Sequence, residues 1–237
     1  VSAACADVEI DVTDAEYGAV GTDALDDQAG IQKALNLAAE TEETVVVKIP
    51  KGDYYLKSGL TLYSGTKLVC ESGAVMHRTD TGSTLMLTNG SDTGDNVGLT
   101  DRSGNITVQG GTWDGNGVAF NLINLYYAGD FQLDGLTLQN IKYSHFMELT
   151  DVKNCIIKNC TFKDYEAEPG LDQDNYGFEA IQMEFGDAVC ENITVTGCTF
   201  QGCYSGVGTH KTEKSNRNYI FTNNTFKDMK GTCFNLD

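Results

Sequence analysis

The sequence predicts an all-β fold in which the chain winds into a parallel β-helix. Three observations predict it: a segment of nine residues, called a line below, recurs; its steps are of similar length; and its apolar positions alternate. The lines start at positions 105, 130, 154, 192 and 218, so the steps are 25, 24, 38 and 26 residues. Such self-similarity indicates a solenoid, because no single unit can bury its apolar face alone.

The pattern inside each line identifies the solenoid as one built from strands. The fourth residue is always apolar, the eighth is always threonine, and the ninth is large and apolar. Alternation such as Ile106/Val108 has a period of two, whereas a helical repeat needs spacings of three and four. The first residue is always Asn or Asp, which predicts a turn residue in the left-handed backbone region.

Composition limits the classes of protein and partner. The 237 residues suffice for one elongated domain spanning 1–237, and 26 glycines with 2 prolines suit many tight turns. A net charge of −18 argues against a nucleic-acid partner. No apolar run approaches the ~20 residues of a membrane span. We expect a protein secreted from a bacterium or held at its surface.

The two ends of the chain are expected to differ. Residues 10–40 form a predicted N-terminal cap, because the stretch from Asp26 to Ala39 places Ile31, Ala34 and Leu35 on one helical face after an acidic N-cap signal. Such a helix would cover the open first coil. The last residue, Asp237, ends a predicted strand with no capping element, so further coils or modules are expected beyond it.

The eight cysteines leave their oxidation state open. Cys160 and Cys198 occupy the same column of neighbouring coils, which predicts a backbone separation of ~4.8 Å. That distance permits a disulfide and equally permits two stacked thiols. No pair has the spacing of a structural zinc site.

The N-terminal half carries motifs of a known superfamily. They are Tyr17-Gly-Ala-Val-Gly with Asp26-Asp27, Ile31-Gln-Lys-Ala-Leu35, Ile49-Pro-Lys-Gly-Asp-Tyr-Tyr-Leu56, Gly73-Ala-Val and Gly111-Thr-Trp-Asp-Gly-Asn116. Together they resemble the pectate-lyase-like right-handed β-helix superfamily, and within it the polygalacturonase-type glycoside hydrolases. The resemblance implies a right-handed parallel β-helix that acts on a polysaccharide. The superfamily also contains lyases, epimerases and non-enzymatic modules.

A third strand follows each repeated line and supplies candidate acids. Alternation directs Met183 inward and Gln182 and Glu184 outward. The same logic in the other coils predicts an outward ladder of Glu148, Glu184, His210 and Asp237. Neighbouring carboxylates could serve as acid and base of a glycoside hydrolase, with His210 as a proton shuttle. The alternative is a solvated sheet face beside a charged turn.

The resemblance adds one further acid and puts the usual reaction in doubt. In the polygalacturonase-type enzymes an Asp-Asp pair and a Gly-His-Gly follow on successive coils, and Phe178-Glu179 and Tyr204-Ser205-Gly206 occupy those places here. Only Glu179 keeps an acid, so it joins the catalytic candidates. The residues expected to bind substrate are Gln182, Lys211, Lys214, Arg217, Tyr176 and Asn235.

Two other functions remain open. A uronate lyase or epimerase could use Lys211 or His210 as its base, and a non-catalytic carbohydrate-binding or adhesin module would use neither. We predict no cofactor and no metal. An acidic run could hold calcium through oxygen ligands, although a solvated acidic loop is the favoured explanation. That run contains Asp164, Glu166, Glu168, Asp172 and Asp174.

Overall fold

The chain folds into a right-handed parallel β-helix, as predicted. The computed structural model describes residues 7–80, 85–90, 104–119, 121–167, 178–184, 189–209 and 217–236, with the backbone alone at 217. Within this part of the chain the strands form three parallel sheets, and each coil contributes one strand to each sheet.

In each sheet the strands stack in the order in which they follow along the chain. The first sheet contains β1 (Val8–Asp11), β2 (Val45–Ile49), β5 (Thr66–Cys70), β8 (Ile106–Gln109), β11 (Gly129–Asp134), β14 (Lys153–Lys158), β17 (Glu191–Thr196) and β20 (Arg217–Thr222). The second contains β3 (Gly52–Leu56), β6 (Ala74–Arg78), β9 (Thr112–Asp114), β12 (Thr137–Lys142), β15 (Thr161–Glu166), β18 (Thr199–Gln201) and β21 (Thr225–Lys227). The third contains β4 (Leu60–Leu62), β7 (Leu87–Asn89), β10 (Ile123–Tyr126), β13 (Met147–Thr150), β16 (Glu179–Glu184), β19 (Ser205–Thr209) and β22 (Phe234–Asn235).

The repeated Asn or Asp forms a ladder where the chain turns into the first sheet. All five residues have positive φ, between 50° at Asp130 and 58° at Asn218, which confirms the predicted left-handed backbone. Their side chains also bond to one another. Asn154 donates to Asp130 at 3.0 Å, and Asn192 donates to Asn154 at 2.8 Å. The ladder therefore fixes the vertical alignment of successive coils.

The ninth residue of each line stacks in the core. Phe162 lies between the coils of Leu138 and Phe200, and Phe200 lies beside Phe226. The ring centroids of Phe162 and Phe200 are 4.8 Å apart, and those of Phe200 and Phe226 are 4.9 Å apart. This column of aromatic rings is the apolar face that no single coil could bury.

One helix covers the N-terminal coil. Helix α1 (Gln28–Asn36), continued by a short 3₁₀ turn (Leu37–Ala39), buries Ile31, Ala34 and Leu35 and contacts β2 and β4. The expected side-chain N-cap is absent at Asp27, the N-cap residue of the helix. Its carboxylate instead accepts hydrogen bonds from the backbone N–H groups of Val20 and Tyr55, at 2.7 and 2.9 Å. Asp27 therefore ties the cap to β3.

The described cysteines carry free thiols, and all but Cys233 are buried. Cys160 and Cys198 are therefore stacked thiols in this structure rather than a disulfide. The Cys160 thiol donates to the carbonyl of Lys158 at 3.3 Å, and the Cys198 thiol donates to that of Ile157 at 3.6 Å. In the part of the chain that the structure describes, no helix is long and apolar enough to cross a membrane.

Candidate functional site

The outer face of the third sheet carries two rows of polar side chains. In the first row Asn124 pairs with Glu148, Glu148 with Gln182, and Gln182 with Gly208, which pairs with Asn235. The second row places Thr150 between Tyr126 and Glu184. The inward residues beside them, among them Met147, Ile181 and Val207, belong to the core.

The predicted ladder is wrong in its register by two residues. Glu148 lies opposite Gln182, and Glu184 lies opposite Thr150, so the two acids are diagonal rather than adjacent. The prediction aligned Met147-Glu148 with Met183-Glu184. The structure instead aligns Met147 with Ile181, a shift of two residues that leaves the same side chains facing the core. Both acids still lie on the same sheet, and both are half-buried.

Of the other predicted residues, Gln182 and Asn235 lie in the first row, Arg217 lies on another sheet, and five lie outside the described residues. Arg217 begins β20, so its backbone belongs to the first sheet, where it pairs with Glu191. Asn235 is exposed, whereas Gln182 is fully buried. His210, Asp237, Lys211, Lys214 and Tyr176 lie outside the described residues.

The carboxylate of Glu179 occupies a gap in the first row. Glu179 pairs with Ser205, and only 3% of its surface is exposed. A Cβ atom added at Gly208 would lie 2.3 Å from Glu179 Cγ and 2.8 Å from its Oε1. The same oxygen accepts a hydrogen bond from Asn235 Nδ2 at 2.8 Å. Glu179 therefore holds the side chain of Asn235, the last residue of the row, in place.

His145 supports the start of β16 and was missed by the sequence analysis. Its Nδ1 donates to the backbone carbonyl of Glu179 at 2.8 Å and lies 3.8 Å from Glu179 Oε2. The ring is largely buried and packs against Phe178, with centroids 6.0 Å apart. The chain has only 3 histidines, and this rarity was the one available signal.

Glu148 is held by a network of amides. Asn121 Nδ2 lies 3.0 Å from Glu148 Oε2 and 3.1 Å from Asn124 Oδ1. Asn124 Nδ2 donates to the hydroxyl of Tyr126 at 2.8 Å, and the side-chain oxygen Oδ1 of Asn121 accepts from the backbone N–H of His145 at 3.2 Å. Both asparagines are buried. The sequence analysis missed Asn121, which precedes its strand.

The spacing of the two half-buried acids determines what they could do. Strands lie ~4.8 Å apart and rise ~3.3 Å per residue, so diagonal positions such as Glu148 and Glu184 have backbones about 8 Å apart. Carboxyl groups ~6.5 to 9.5 Å apart leave room for a water molecule between themselves and a sugar, as inverting glycosidases require. Gln182 lies between them, with Nε2 3.4 Å from Glu184 Oε1.

The acidic run that could hold calcium is only partly described. Asp164 and Glu166 lie at the end of β15, and Glu166 forms an ion pair with Lys142 at 3.4 Å. Glu168, Asp172 and Asp174 lie outside the described residues. Among those that are described, no group of three or more His, Cys, Asp and Glu side chains could hold a metal ion.

The stacked coils define the class of this protein: it is a parallel β-helix protein with acids and amides on the outer face of one sheet. The chain belongs to the family described as rhamnogalacturonase A/epimerase, pectate lyase-like, whose profile matches residues 10–235. This confirms the resemblance to the pectate-lyase-like superfamily. No curated protein sequence matches the chain.

Solved structures share the fold at low sequence identity. The surface adhesin PfbA of Streptococcus pneumoniae is 23% identical, with a TM-score of 0.76, and the match covers 96% of this chain and 63% of that one. ORF18 of Geobacillus virus E2 is 18% identical, with a TM-score of 0.79 and coverages of 93% and 42%. The family 28 exopolygalacturonase of Yersinia enterocolitica is 14% identical, with a TM-score of 0.69 and coverages of 92% and 48%. The chain thus spans less than two thirds of each of these proteins.

Proposed function

We propose that this chain is a glycoside hydrolase acting on an extracellular polysaccharide, with Glu148 and Glu184 as its acid and base. The observation that carries the proposal is the diagonal pair of half-buried carboxylates on one face of the third sheet. Membership of the rhamnogalacturonase A/epimerase family and the likeness to an exopolygalacturonase support it.

We further propose that the reaction inverts the anomeric carbon, because a backbone separation of about 8 Å is compatible with carboxyl groups ~6.5 to 9.5 Å apart. One carboxylic acid protonates the glycosidic oxygen as the bond to the anomeric carbon breaks. The other carboxylate takes a proton from a water molecule, and that water attacks the anomeric carbon from the opposite face. In this scheme Glu179 is a positioning residue, since its buried carboxylate holds Asn235 rather than meeting the sugar.

The test is product formation from a panel of polysaccharides. Glu148→Gln and Glu184→Gln should each lower kcat by about 10²- to 10⁴-fold, because each removes a proton-transfer group. Glu191→Gln is the matched control: Glu191 is a partly buried glutamate on the first sheet, paired with Lys153 at 3.3 Å. Proton NMR of the first product should show the inverted anomer. Full activity in both glutamine variants would refute the proposal.

A binding module without catalysis is the second candidate. It is favoured by the complete burial of Gln182 between the two acids and by the match to a surface adhesin over 96% of the chain. In that case no polysaccharide yields new reducing ends, while glycan binding persists. A lyase or epimerase is the third, with Lys211 or His210 as base. A lyase would release products that absorb in the near ultraviolet.

The proposed location is outside the cell, at the bacterial surface or secreted. The net charge of −18 and the likeness to a surface adhesin support it. Fractionation of the native producer, with immunodetection in medium, wall and cytoplasm, tests it. Recovery only in the cytoplasm would contradict it. Chelation with EDTA tests whether calcium contributes, and we expect activity to survive.

A further inference from the structure

Two tyrosines lie at the ends of third-sheet strands that precede those of the acid pair. Tyr126 belongs to the same row as Glu184, and 39% of its surface is exposed. Tyr63 follows β4, and a Cβ added at Gly90 would lie 2.7 Å from Tyr63 Cε1, so this ring extends across Gly90. Thr88 pairs with Asn124, so Gly90 and Tyr126, each two residues further on, are in register. The ring of Tyr63 therefore lies over Gly90, the position in register with Tyr126.

The ring of Tyr126 is held in a fixed orientation. Its hydroxyl accepts a hydrogen bond from Asn124 Nδ2 at 2.8 Å, and Asn124 lies two residues earlier on the same face of the strand. The ring must therefore lie along the strand, with one face left outside. Asn89 fixes the backbone beneath it, accepting from Tyr126 N at 2.9 Å and donating to Tyr126 O at 2.8 Å.

The described strand residues that carry these rings have uncharged side chains. Residues 60–63, 87–90 and 123–126 are described throughout and contain hydroxyl and amide side chains but no Lys, Arg, Asp or Glu. Recognition of a sugar carboxylate would call for a cation, above all the fork of an arginine. The acids that follow, Glu148 and Glu184, and the net charge of −18 would repel an anionic chain.

We infer that Tyr63 and Tyr126 form a platform that binds neutral sugar residues rather than uronates. The inference rests on the proposed function for the face that the polysaccharide occupies. Tyr63 follows β4 and Tyr126 ends β10, so they lie two strand spacings apart. Each spacing is ~4.8 Å, close to the length of one pyranose residue, so a platform from Tyr63 to Tyr126 can hold two sugar residues. The apolar faces of the sugars lie on the rings, and their hydroxyls bond to Thr and Asn side chains.

The test is a binding titration in the Glu184→Gln background, which separates binding from turnover. The probes are neutral galactan and xylan oligosaccharides and an oligogalacturonate of equal length, at low and high salt. At least one neutral probe should bind more tightly than oligogalacturonate, and salt should leave its affinity unchanged. Tyr126→Ala should weaken that binding by about tenfold, whereas Tyr126→Phe keeps the ring and stays within about threefold.

The matched control is Tyr55→Ala, because Tyr55 stacks on His77 in the second sheet, with centroids 5.1 Å apart. Its removal should not change the affinity. Tighter binding of oligogalacturonate, or unchanged binding in Tyr126→Ala, would overturn the inference. If no polysaccharide is cleaved, the proposed hydrolase is refuted. Tyr126-dependent binding of a neutral probe would still support the platform.

Discussion

The carboxylate of Glu179 lies in the space that a side chain at Gly208 would need. A Cβ at position 208 would come within 2.3 Å of Glu179 Cγ and 2.7 Å of Cδ. Gly208 is also the one position of the row from Asn124 to Asn235 without a side chain. The glycine and the glutamate therefore depend on each other, and the bond from Asn235 to Glu179 is possible only because position 208 is empty.

Gly208→Ala should destabilise the fold by about 1–3 kcal/mol, because the buried Glu179 side chain has to move out of its place. The measurement is the urea midpoint of unfolding. Glu179→Ala removes the atoms that clash, so Gly208→Ala should cost distinctly less in that background. Equal costs in the two backgrounds would show that the residues are not coupled.

Asn121→Ala should affect both the fold and the proposed reaction. It removes the amide that donates to Glu148 and Asn124 and the carbonyl that accepts from His145 N. Buried partners left unsatisfied should cost about 1–3 kcal/mol of stability. Activity at a temperature where the variant is folded should fall further than in Asn218→Ala, which removes only the outermost described rung of the exposed ladder. Equal activities would exclude a positioning role for Asn121.

The fold could be predicted from the sequence because its information is repeated. The five Asn or Asp residues and the column of Phe residues each indicate the same coil repeat, so an error in one line changes the predicted fold little. The site contains single residues with no repeat. The register of Glu184 was misread because an insertion precedes its strand, and a shift of two residues leaves the inward and outward alternation unchanged, so the alternation could not reveal it. The contact of Glu179 with Gly208 depends on side chains from different strands, which no spacing within one strand reveals.

Asp27 predicts a pH dependence of stability. Burial raises the pKa of its carboxyl in the folded state, more than the bonds from Val20 and Tyr55 lower it. A raised folded pKa means that the contribution is fully present below the unfolded pKa and is lost as pH rises through the folded pKa. Asp27→Asn should therefore reduce stability more at pH 4 than at pH 7. Urea midpoints across this range test it.

The control for that series is Asp14→Asn, which removes the same charge from an exposed turn. Its effect on the midpoint should stay nearly constant over the same pH range. If Asp14→Asn and Asp27→Asn gave parallel curves, net charge rather than burial of Asp27 would explain the pH dependence.

Thiol reactivity should separate Cys233 from the other described cysteines. Burial raises the pKa of Cys70 and Cys203 to about 12, and Cys233 alone among the seven is exposed. Since the thiolate is the reactive species, an alkylating reagent at pH 8 should modify Cys233 quickly in the folded protein, and the six buried thiols only after unfolding. Peptide mass mapping after a short pulse identifies the modified residues. Cys233→Ser should abolish fast labelling at these seven positions, and rapid labelling of Cys160 or Cys198 in the folded variant would show that the coils open locally.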